Sequence, residues 1–388
     1  MIITGNVYVS DRGNNRVRKI TASTSVITTI AGTGSLGYSG DGGQATSASV
    51  QEPQGLNLDS AGNIYVGDYN SYSVVRKITV STGIINTVAG TGSMGYNGDN
   101  IQATAASLNN PNDVMVDSYG NLYICDRSNH RVRKVDVSTG LITTLVGNGA
   151  ASSTGDGSAA TSATVNSPYY SRFDNVGNLY ITEASRIRNV ITVTTDIPTV
   201  IPTIYPTLSP HSISIITTIA GTGTGSYSGD GGQATSAAIN GPVGIIIDSG
   251  GNVYFNDYYN HRVRKISTST GIISTYAGTG TSGYSGDGGA AINAALNCPD
   301  GLCIDTAGMI NINSITVVYI YNIHHLDNLY IADFSNCRIR KVTASTSVVS
   351  TIAGTGVTGY SGDKVVASSA SLYGPVGVAV DTSGKNTL

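Results

Sequence analysis

The sequence predicts an all-β fold built from six copies of one small antiparallel sheet, and three observations support this. An Asn-x-Tyr segment recurs six times along the chain. Short runs of Val, Ile, Thr and Tyr alternate with Gly, Asn, Asp and Ser, which is typical of strands joined by tight turns. Charged residues make up only 12% of the chain, which also holds 49 glycines. The repeated Asn residues are Asn6, Asn63, Asn121, Asn178, Asn252 and Asn328.

Each repeat contains four predicted strands. A short apolar run ending in Asp forms the first strand, and the Asn-x-Tyr segment forms the second. An Arg-rich run such as Arg16 to Ile20 forms the third, and a run such as Ser25 to Gly32 forms the fourth. Four strands in each of six units predict a six-bladed β-propeller of four-stranded antiparallel blades. The opening prolines of the units are Pro53, Pro111, Pro168, Pro242, Pro299 and Pro375.

The two chain ends complement each other. The chain ends on a first strand, Val376 to Asp381, and begins with the three strands that this blade lacks. We therefore predict that the C-terminal strand completes the N-terminal blade and closes the ring. The whole chain, 1–388, is predicted to be a single propeller domain. Its predicted blades are approximately 373–388 plus 1–34, 53–92, 110–149, 166–223, 241–280 and 298–356.

Two blades carry insertions, because the spacing between repeated Asn residues rises from 57 or 58 to 74 and 76. The first insertion, residues 192–211, has a Pro at every fourth position from Pro198 to Pro210. We expect it to be an extended loop that cannot join a sheet, with a Pro-rich docking motif as the alternative. Removing the second insertion, residues 308–326, would restore the usual interval between Asp305 and Asn328. We interpret it as a retained intron, with a hairpin as the alternative.

A Gly-rich loop, such as Gly32 to Gly43, joins successive blades and precedes a predicted single helical turn. Each loop contains a Gly-Asp pair, but one carboxylate per blade does not converge on a calcium ion. We therefore predict that these aspartates cap the following turn. They are Asp41, Asp99, Asp156, Asp230, Asp287 and Asp363.

The repeat resembles the NHL repeat, in the long-loop form with Gly-Tyr-Ser-Gly-Asp-Gly between blades that occurs in teneurin-like and microbial NHL proteins. The resemblance covers nearly the whole chain. It implies a six-bladed propeller used mostly as a binding platform, in some members for RNA or protein on one face. A related amidating lyase and lactonase-like relatives of similar build are metal enzymes.

Histidines provide little support for an enzyme. None of the five lies on a first strand, where the ligands of a zinc lyase would meet at the channel. His130 and His261 occupy a repeat position that is filled by Asn15 and Cys337 in other blades. We predict no catalytic residues, no metal and no cofactor, and a metal-dependent lyase or lactonase-like enzyme is the alternative.

Candidate binding residues are those that depart from the repeat. First-strand positions of blades three and four carry Asp113, Tyr169, Tyr170 and Arg172. The other blades have Gly at the position of Asp113 and Tyr170, and an uncharged residue at the position of Arg172. These four form either a polar pocket or, through an Asp113–Arg172 pair, the filling of a widened seam. A second variable set follows the Asp that ends each second strand, on the face that carries the loops. It consists of Arg12, Tyr69, Arg127, Tyr258 and Phe334, which are either binding residues or ordinary turn residues.

The predicted function is a non-enzymatic binding or scaffold module that contacts a protein or peptide through the loop-rich face. A small ligand in the central channel is a further option. RNA binding is a second alternative, although the net charge of −3 gives no electrostatic footprint for nucleic acid. We expect neither a signal peptide nor a transmembrane segment in this chain. Localisation stays open, an extracellular one included if the chain belongs to a longer protein.

Overall fold

Six antiparallel sheets form a ring of blades in this computed structural model, which describes residues 5–195, 211–305 and 328–381. The strands of the first three blades are β1 (Val7–Asp11), β2 (Arg16–Ile20), β3 (Val26–Ala31), β4 (Leu56–Leu58), β5 (Ile64–Asp68), β6 (Val74–Thr79), β7 (Ile84–Ala89), β8 (Ile101–Gln102), β9 (Pro111–Val116), β10 (Leu122–Asp126), β11 (Arg131–Val135) and β12 (Leu141–Val146). The remaining strands are β13 (Ser171–Phe173), β14 (Leu179–Glu183), β15 (Arg186–Thr195), β16 (His211–Ala220), β17 (Pro242–Ile247), β18 (Val253–Asp257), β19 (Arg262–Ser267), β20 (Ile272–Ala277), β21 (Pro299–Ile304), β22 (Leu329–Asp333), β23 (Arg338–Thr343), β24 (Val348–Ala353), β25 (Val365–Val366) and β26 (Pro375–Val380).

The helices of the described residues are all single 3-10 turns, in two repeated places. One set follows the second strand of a blade. The other lies in the loop between blades, where the sequence predicts a single helical turn. The first set is Arg12–Asn14, Asn70–Tyr72, Arg127–Asn129, Tyr258–Asn260 and Phe334–Asn336. The second is Ala45–Ser47, Ala103–Ala105, Ala234–Ser236, Ala291–Asn293 and Ala367–Ser369.

The ring closes as predicted. β26 pairs with β1 in an antiparallel register that places Val7 opposite Val380, so that the last strand becomes the innermost strand of the first blade. The Asp381 carboxylate accepts hydrogen bonds from the Asn6 amide at 2.8 Å and the Tyr8 hydroxyl at 3.0 Å. At the outer edge, β25 from the preceding loop pairs with β3 and covers an otherwise open strand.

The repeated Asn and Tyr build a turn. In blade two the Asp59 carboxylate accepts hydrogen bonds from the Asn63 backbone at 2.8 Å, the Asn63 amide at 2.9 Å and the Tyr65 hydroxyl at 3.2 Å. Blade six makes the same contacts from Asp305, at 3.0 Å to the Asn328 backbone and 2.9 Å to the Tyr330 hydroxyl. The two described residues that flank the second insertion, Asp305 and Asn328, therefore make the contacts of an ordinary blade turn.

The insertions themselves fall mostly outside the described residues. Residues 308–326 lie wholly outside, so their interpretation stays a hypothesis. The first insertion lies between the third and fourth strands of blade four, as predicted, but its ends do join the sheet. β15 and β16 pair as far as Thr195 opposite His211, because the β-branched, proline-free run before Pro198 is suited to a strand.

The hydrophobic core of the described residues consists of six clusters, each lying between two adjacent blades. One cluster joins Val9 and Ile27 of blade one to Tyr330 and Ile339 of blade six, all fully buried. Since the apolar surface of a blade is covered only by its neighbours, a single blade has no core of its own. The stability of each blade depends on the closed ring.

A fully buried arginine on the third strand of every blade holds that blade to the loop before it. Arg133 donates to the Asp126 carboxylate of its own blade at 3.5 Å and to Asp99 of the preceding loop at 2.9 Å. We call this unit the arginine latch. Its arginines are Arg18, Arg76, Arg133, Arg188, Arg264 and Arg340.

The latch corrects the predicted role of the Gly-Asp pairs. In the described structure no side chain caps the 3-10 turn that follows Asp41. The Asp41 carboxylate instead accepts a hydrogen bond from Arg76 of the next blade at 2.6 Å. The prediction that these aspartates cap the following turn is wrong, because their arginine partner belongs to another repeat. The local sequence does not show such a contact.

Replacing a latch arginine should destabilise the protein strongly. Arg133→Met leaves the buried Asp126 carboxylate without its cation, so we expect a loss of about 3–5 kcal/mol in the free energy of unfolding, measured by urea denaturation. Lys134→Met is the matched control, because the neighbouring Lys134 is half-buried and makes no ion pair in the described structure. Equal losses in the two variants would contradict the latch.

Deleting residues 308–326 should leave the propeller intact. The turn formed by Asp305 and Asn328 already makes the hydrogen bonds found in blade two, so we expect the free energy of unfolding to change by less than about 1 kcal/mol. Deleting residues 60–62 is the control, since it removes a turn of ordinary length. An aggregated or unfolded protein after the first deletion would show that the segment is needed for folding.

Candidate functional site

The first strands line the central channel. In most blades a glycine lets the first strand approach the backbone of the first strand in the next blade closely. A Cβ atom at Gly244 would overlap the carbonyl oxygen of Asp300, and one at Gly301 would overlap that of Val376. Blades three and four have Asp113 and Tyr170 at the equivalent position. Side chains therefore fill the space between these blades that direct backbone contact fills elsewhere.

Asp113 and Arg172 form a buried ion pair in this seam. Arg172 Nη1 donates to Asp113 Oδ2 at 2.5 Å, and the Ser171 backbone N–H donates to the same oxygen at 3.2 Å. The two residues therefore form the pair that fills the seam, which was the alternative to a polar pocket. Neither residue is among those that line the cavity at the channel mouth.

A cavity of about 300 Å³ opens at the channel mouth on the loop-rich face. Five of the predicted binding residues line it, and they come from five different blades. Those five are Arg12, Tyr69, Arg127, Tyr169 and Tyr258. The remaining lining residues are Gln54, Asn112, Gly241, Val243, Tyr259 and Asp300.

Arginine and tyrosine alternate along one wall of this mouth cavity. The Arg127 guanidinium donates to the Tyr69 hydroxyl at 2.6 Å and to the Tyr169 hydroxyl at 3.0 Å, and it lies 4.4 Å from the centroid of the Tyr169 ring. Arg12 lies 5.5 Å from the Tyr69 ring and forms an ion pair with Glu52 at 2.6 Å. These contacts hold the side chains in a fixed, half-buried array.

The facing wall is aromatic. Tyr258 packs edge-on against Tyr259 with ring centroids 4.9 Å apart, and it lies 6.3 Å from Phe334. Phe334 does not line the mouth cavity itself. It lines an adjoining groove of about 390 Å³, together with Leu36, Tyr373 and the shared Arg12.

Asp300 also lines the cavity, and its carboxylate accepts a hydrogen bond from a residue that does not line it. The hydroxyl of the buried Tyr170 donates to Asp300 Oδ1 at 3.0 Å, which links blade four to blade six across the channel. Burial raises the pKa of Asp300 to about 6, while the Tyr170 hydrogen bond and the charges of Arg12 and Arg127 oppose the rise. Tyr170 thus supports the site without lining it.

Four residues that line the cavity were not predicted from the sequence. All four occupy the same repeat position, directly after the opening Pro of a blade. The sequence varies there from blade to blade, as Gln54, Asn112, Tyr169, Val243, Asp300 and Val376, and only Tyr169 was selected. That variability was the signal that could have identified Gln54, Asn112, Val243 and Asp300. Tyr259 was missed because it is the second residue of its turn.

Two histidines, His130 and His261, each contact the residue before the opening Pro of the next blade. The Nδ1 atom of His130 accepts the Ser167 backbone N–H at 3.1 Å, and that of His261 accepts the Cys298 backbone N–H at 3.1 Å. Burial lowers the pKa of both imidazoles. Within the part of the chain that the structure describes, no three His, Cys, Asp or Glu side chains are grouped so as to hold a metal ion.

None of the helices in the described ranges is long and apolar enough to cross a membrane.

Comparisons with known proteins agree on the repeat. The family model of the NHL repeat matches residues 108–135. The chain is 24% identical over 346 residues to the chloroplastic protein SUPPRESSOR OF QUENCHING 1 of Arabidopsis thaliana, covering 88% of this chain and 29% of that protein. It is 26% identical over 316 residues to teneurin-4 of Mus musculus, covering 70% of this chain and 10% of teneurin-4. The chain thus spans less than a third of these relatives.

Solved structures share the fold. A protein of unknown function from Bacteroides thetaiotaomicron superposes with a TM-score of 0.59 at 18% identity, covering 95% of this chain and 77% of that chain. An auxiliary nutrient binding protein from the same organism gives 0.53 at 16% identity, covering 85% of this chain and 64% of that chain.

The raised pKa of Asp300 predicts a pH-dependent stability difference. The folded protein holds this proton up to about pH 6, whereas the unfolded chain releases it near 3.8, so ionisation favours unfolding between these values. Relative to Asp300→Asn, the wild type should lose on the order of 2 kcal/mol as the pH rises from about 4 to 6, and no more above about 7. Urea denaturation of both proteins across this range measures the difference.

Tyr170→Phe supplies a second readout for Asp300. Loss of the hydroxyl removes a hydrogen bond that stabilises the carboxylate, so the pKa of Asp300 in the folded protein should rise. The loss of stability with pH should then continue to a higher pH than in the wild type. A difference between wild type and Asp300→Asn that stays constant over the whole range would show that Asp300 titrates normally.

Proposed function

We propose that this chain, an NHL-repeat six-bladed β-propeller, is a non-enzymatic binding module that holds a protein or peptide partner on its loop-rich face. One observation carries the proposal: five residues that depart from the repeat, from five blades, converge on the mouth cavity. Residues common to the blades are used in the latch and the turns. Five of the nine residues that depart from the repeat line one shared cavity.

The chemistry of the mouth supports recognition of a polypeptide. Arg and Tyr, like Trp, are enriched at the energetic centres of protein interfaces. Here Tyr69, Arg127 and Tyr169 are held in place by hydrogen bonds to one another, so little side-chain entropy is lost on binding. The adjoining groove adds apolar surface, including the largely exposed Leu36.

A random peptide library displayed on phage tests the proposal, with the full chain immobilised as bait. Peptides enriched on the wild type should bind Arg127→Ala and Tyr258→Ala about tenfold or more weakly in fluorescence anisotropy titrations. Tyr119→Ala is the matched control, because Tyr119 is 84% exposed on a turn between a first and a second strand, on the opposite face. Enriched peptides should bind this control like wild type.

Two results would overturn the proposal. One is a selection that enriches no peptide above an uncoated surface. The other is a set of enriched peptides whose affinity is unchanged by both mouth substitutions. Thermal melts of each variant confirm that the comparison is made between folded proteins.

A further inference from the structure

Two charged residues at variable positions of the repeat line the mouth cavity. Neither has an ion-pair partner in the described structure. The Arg127 guanidinium is hydrogen-bonded only to tyrosine hydroxyls, and no described carboxylate lies within 4.0 Å of it. The side chain of Asp300 accepts one hydrogen bond, from Tyr170, and no described cation lies within that distance. The two charges line the same cavity but do not pair with each other.

The buried latch arginines and the buried Asp113 are treated differently, since each is matched by an opposite charge. Each latch arginine is matched by two carboxylates, Asp113 is matched by Arg172, and at the rim of the mouth Arg12 is matched by Glu52. Removing a charge from water is costly unless an opposite charge or hydrogen bonds replace the solvent. A separated positive and negative charge, left unmatched across one cavity, is complementary to a ligand that carries both.

Building on the proposed binding role of this face, we propose that the mouth cavity binds a small zwitterion, a free α-amino acid or a short peptide with free ends. The ligand carboxylate contacts Arg127 and its ammonium group contacts Asp300. Planar guanidinium groups hold carboxylates through directed hydrogen bonds, and the aromatic wall of Tyr258 and Tyr259 offers ring surface to the rest of the ligand.

Size and net charge agree with this ligand class. A cavity of about 300 Å³ lies at the lower end of small-molecule sites, which suits a ligand of this size. Because Arg12 is already neutralised by Glu52, the two unmatched charges of Arg127 and Asp300 sum to zero. A ligand without net charge but with separated charges therefore satisfies both.

Isothermal titration calorimetry of the full chain tests the proposal with defined probes. The probes are the twenty common L-amino acids and the dipeptides Gly-Tyr, Gly-Leu and Gly-Glu. The N-acetylated and the C-amidated forms of the tightest probe each lack one charge. We expect each capped form to bind about tenfold or more weakly than the free form.

Two substitutions assign the charges. Asp300→Asn should bind the free and the N-acetylated ligand equally, because it no longer distinguishes the ammonium group. Arg127→Met should bind the free and the amidated ligand equally, for the corresponding reason at the carboxylate. Tyr119→Ala, on the opposite face, should retain wild-type affinity for all forms. Preference for amino acids over dipeptides, or the reverse, distinguishes the two sources.

The inference is overturned if no probe binds at concentrations up to about 10 mM. It is equally overturned if the capped ligands bind as tightly as the free one. The phage-displayed peptides have no free C-terminus, so their binding tests the wider function independently. Displayed peptides that bind through Arg127 and Tyr258, with no zwitterion bound, would sustain the binding module and refute the zwitterion site.

Discussion

The arginine latch is the interaction on which the rest of the structure depends. A guanidinium that is completely shielded from solvent, such as Arg133, is stable only because carboxylates from its own blade and from the preceding loop neutralise it. The contact requires two successive repeats to be docked. Together with the hydrophobic clusters that join adjacent blades in the described residues, it makes the ring a cooperative unit.

The latch also places the candidate site. One of the two carboxylates that bind each latch arginine is the last residue of a second strand, and the next residue stands on the loop-rich face. Arg12 follows Asp11, Tyr69 follows Asp68 and Arg127 follows Asp126, so a conserved structural contact within the repeat presents a variable side chain at the mouth. Blade four departs from this, with Glu183 as the carboxylate and Ala184 after it. Its Tyr169 lines the cavity from the first-strand side instead.

The seam between blades three and four shows how a departure from the repeat is accommodated. Asp113 stands where four of the blades have glycine, and its carboxylate accepts hydrogen bonds from Ser171 and Arg172 of the next blade. Tyr170 then reaches Asp300 across the channel. The same replacements that alter the packing of first strands thus place a hydrogen bond beneath the mouth cavity and influence the charge of Asp300.

The sequence by itself determined the architecture, because a period of 57 or 58 residues with four strands per unit leaves few folds, and the complementary chain ends determine the closure. It also indicated Arg12, Tyr69 and Arg127 as residues that depart from the repeat. Only the tertiary structure decided their surroundings. Asp41 finds its arginine 35 residues away, and Tyr170 finds Asp300 at a separation of 130. Such contacts join different blades, and a sequence pattern that describes one blade at a time carries no information about which side chains meet across the ring.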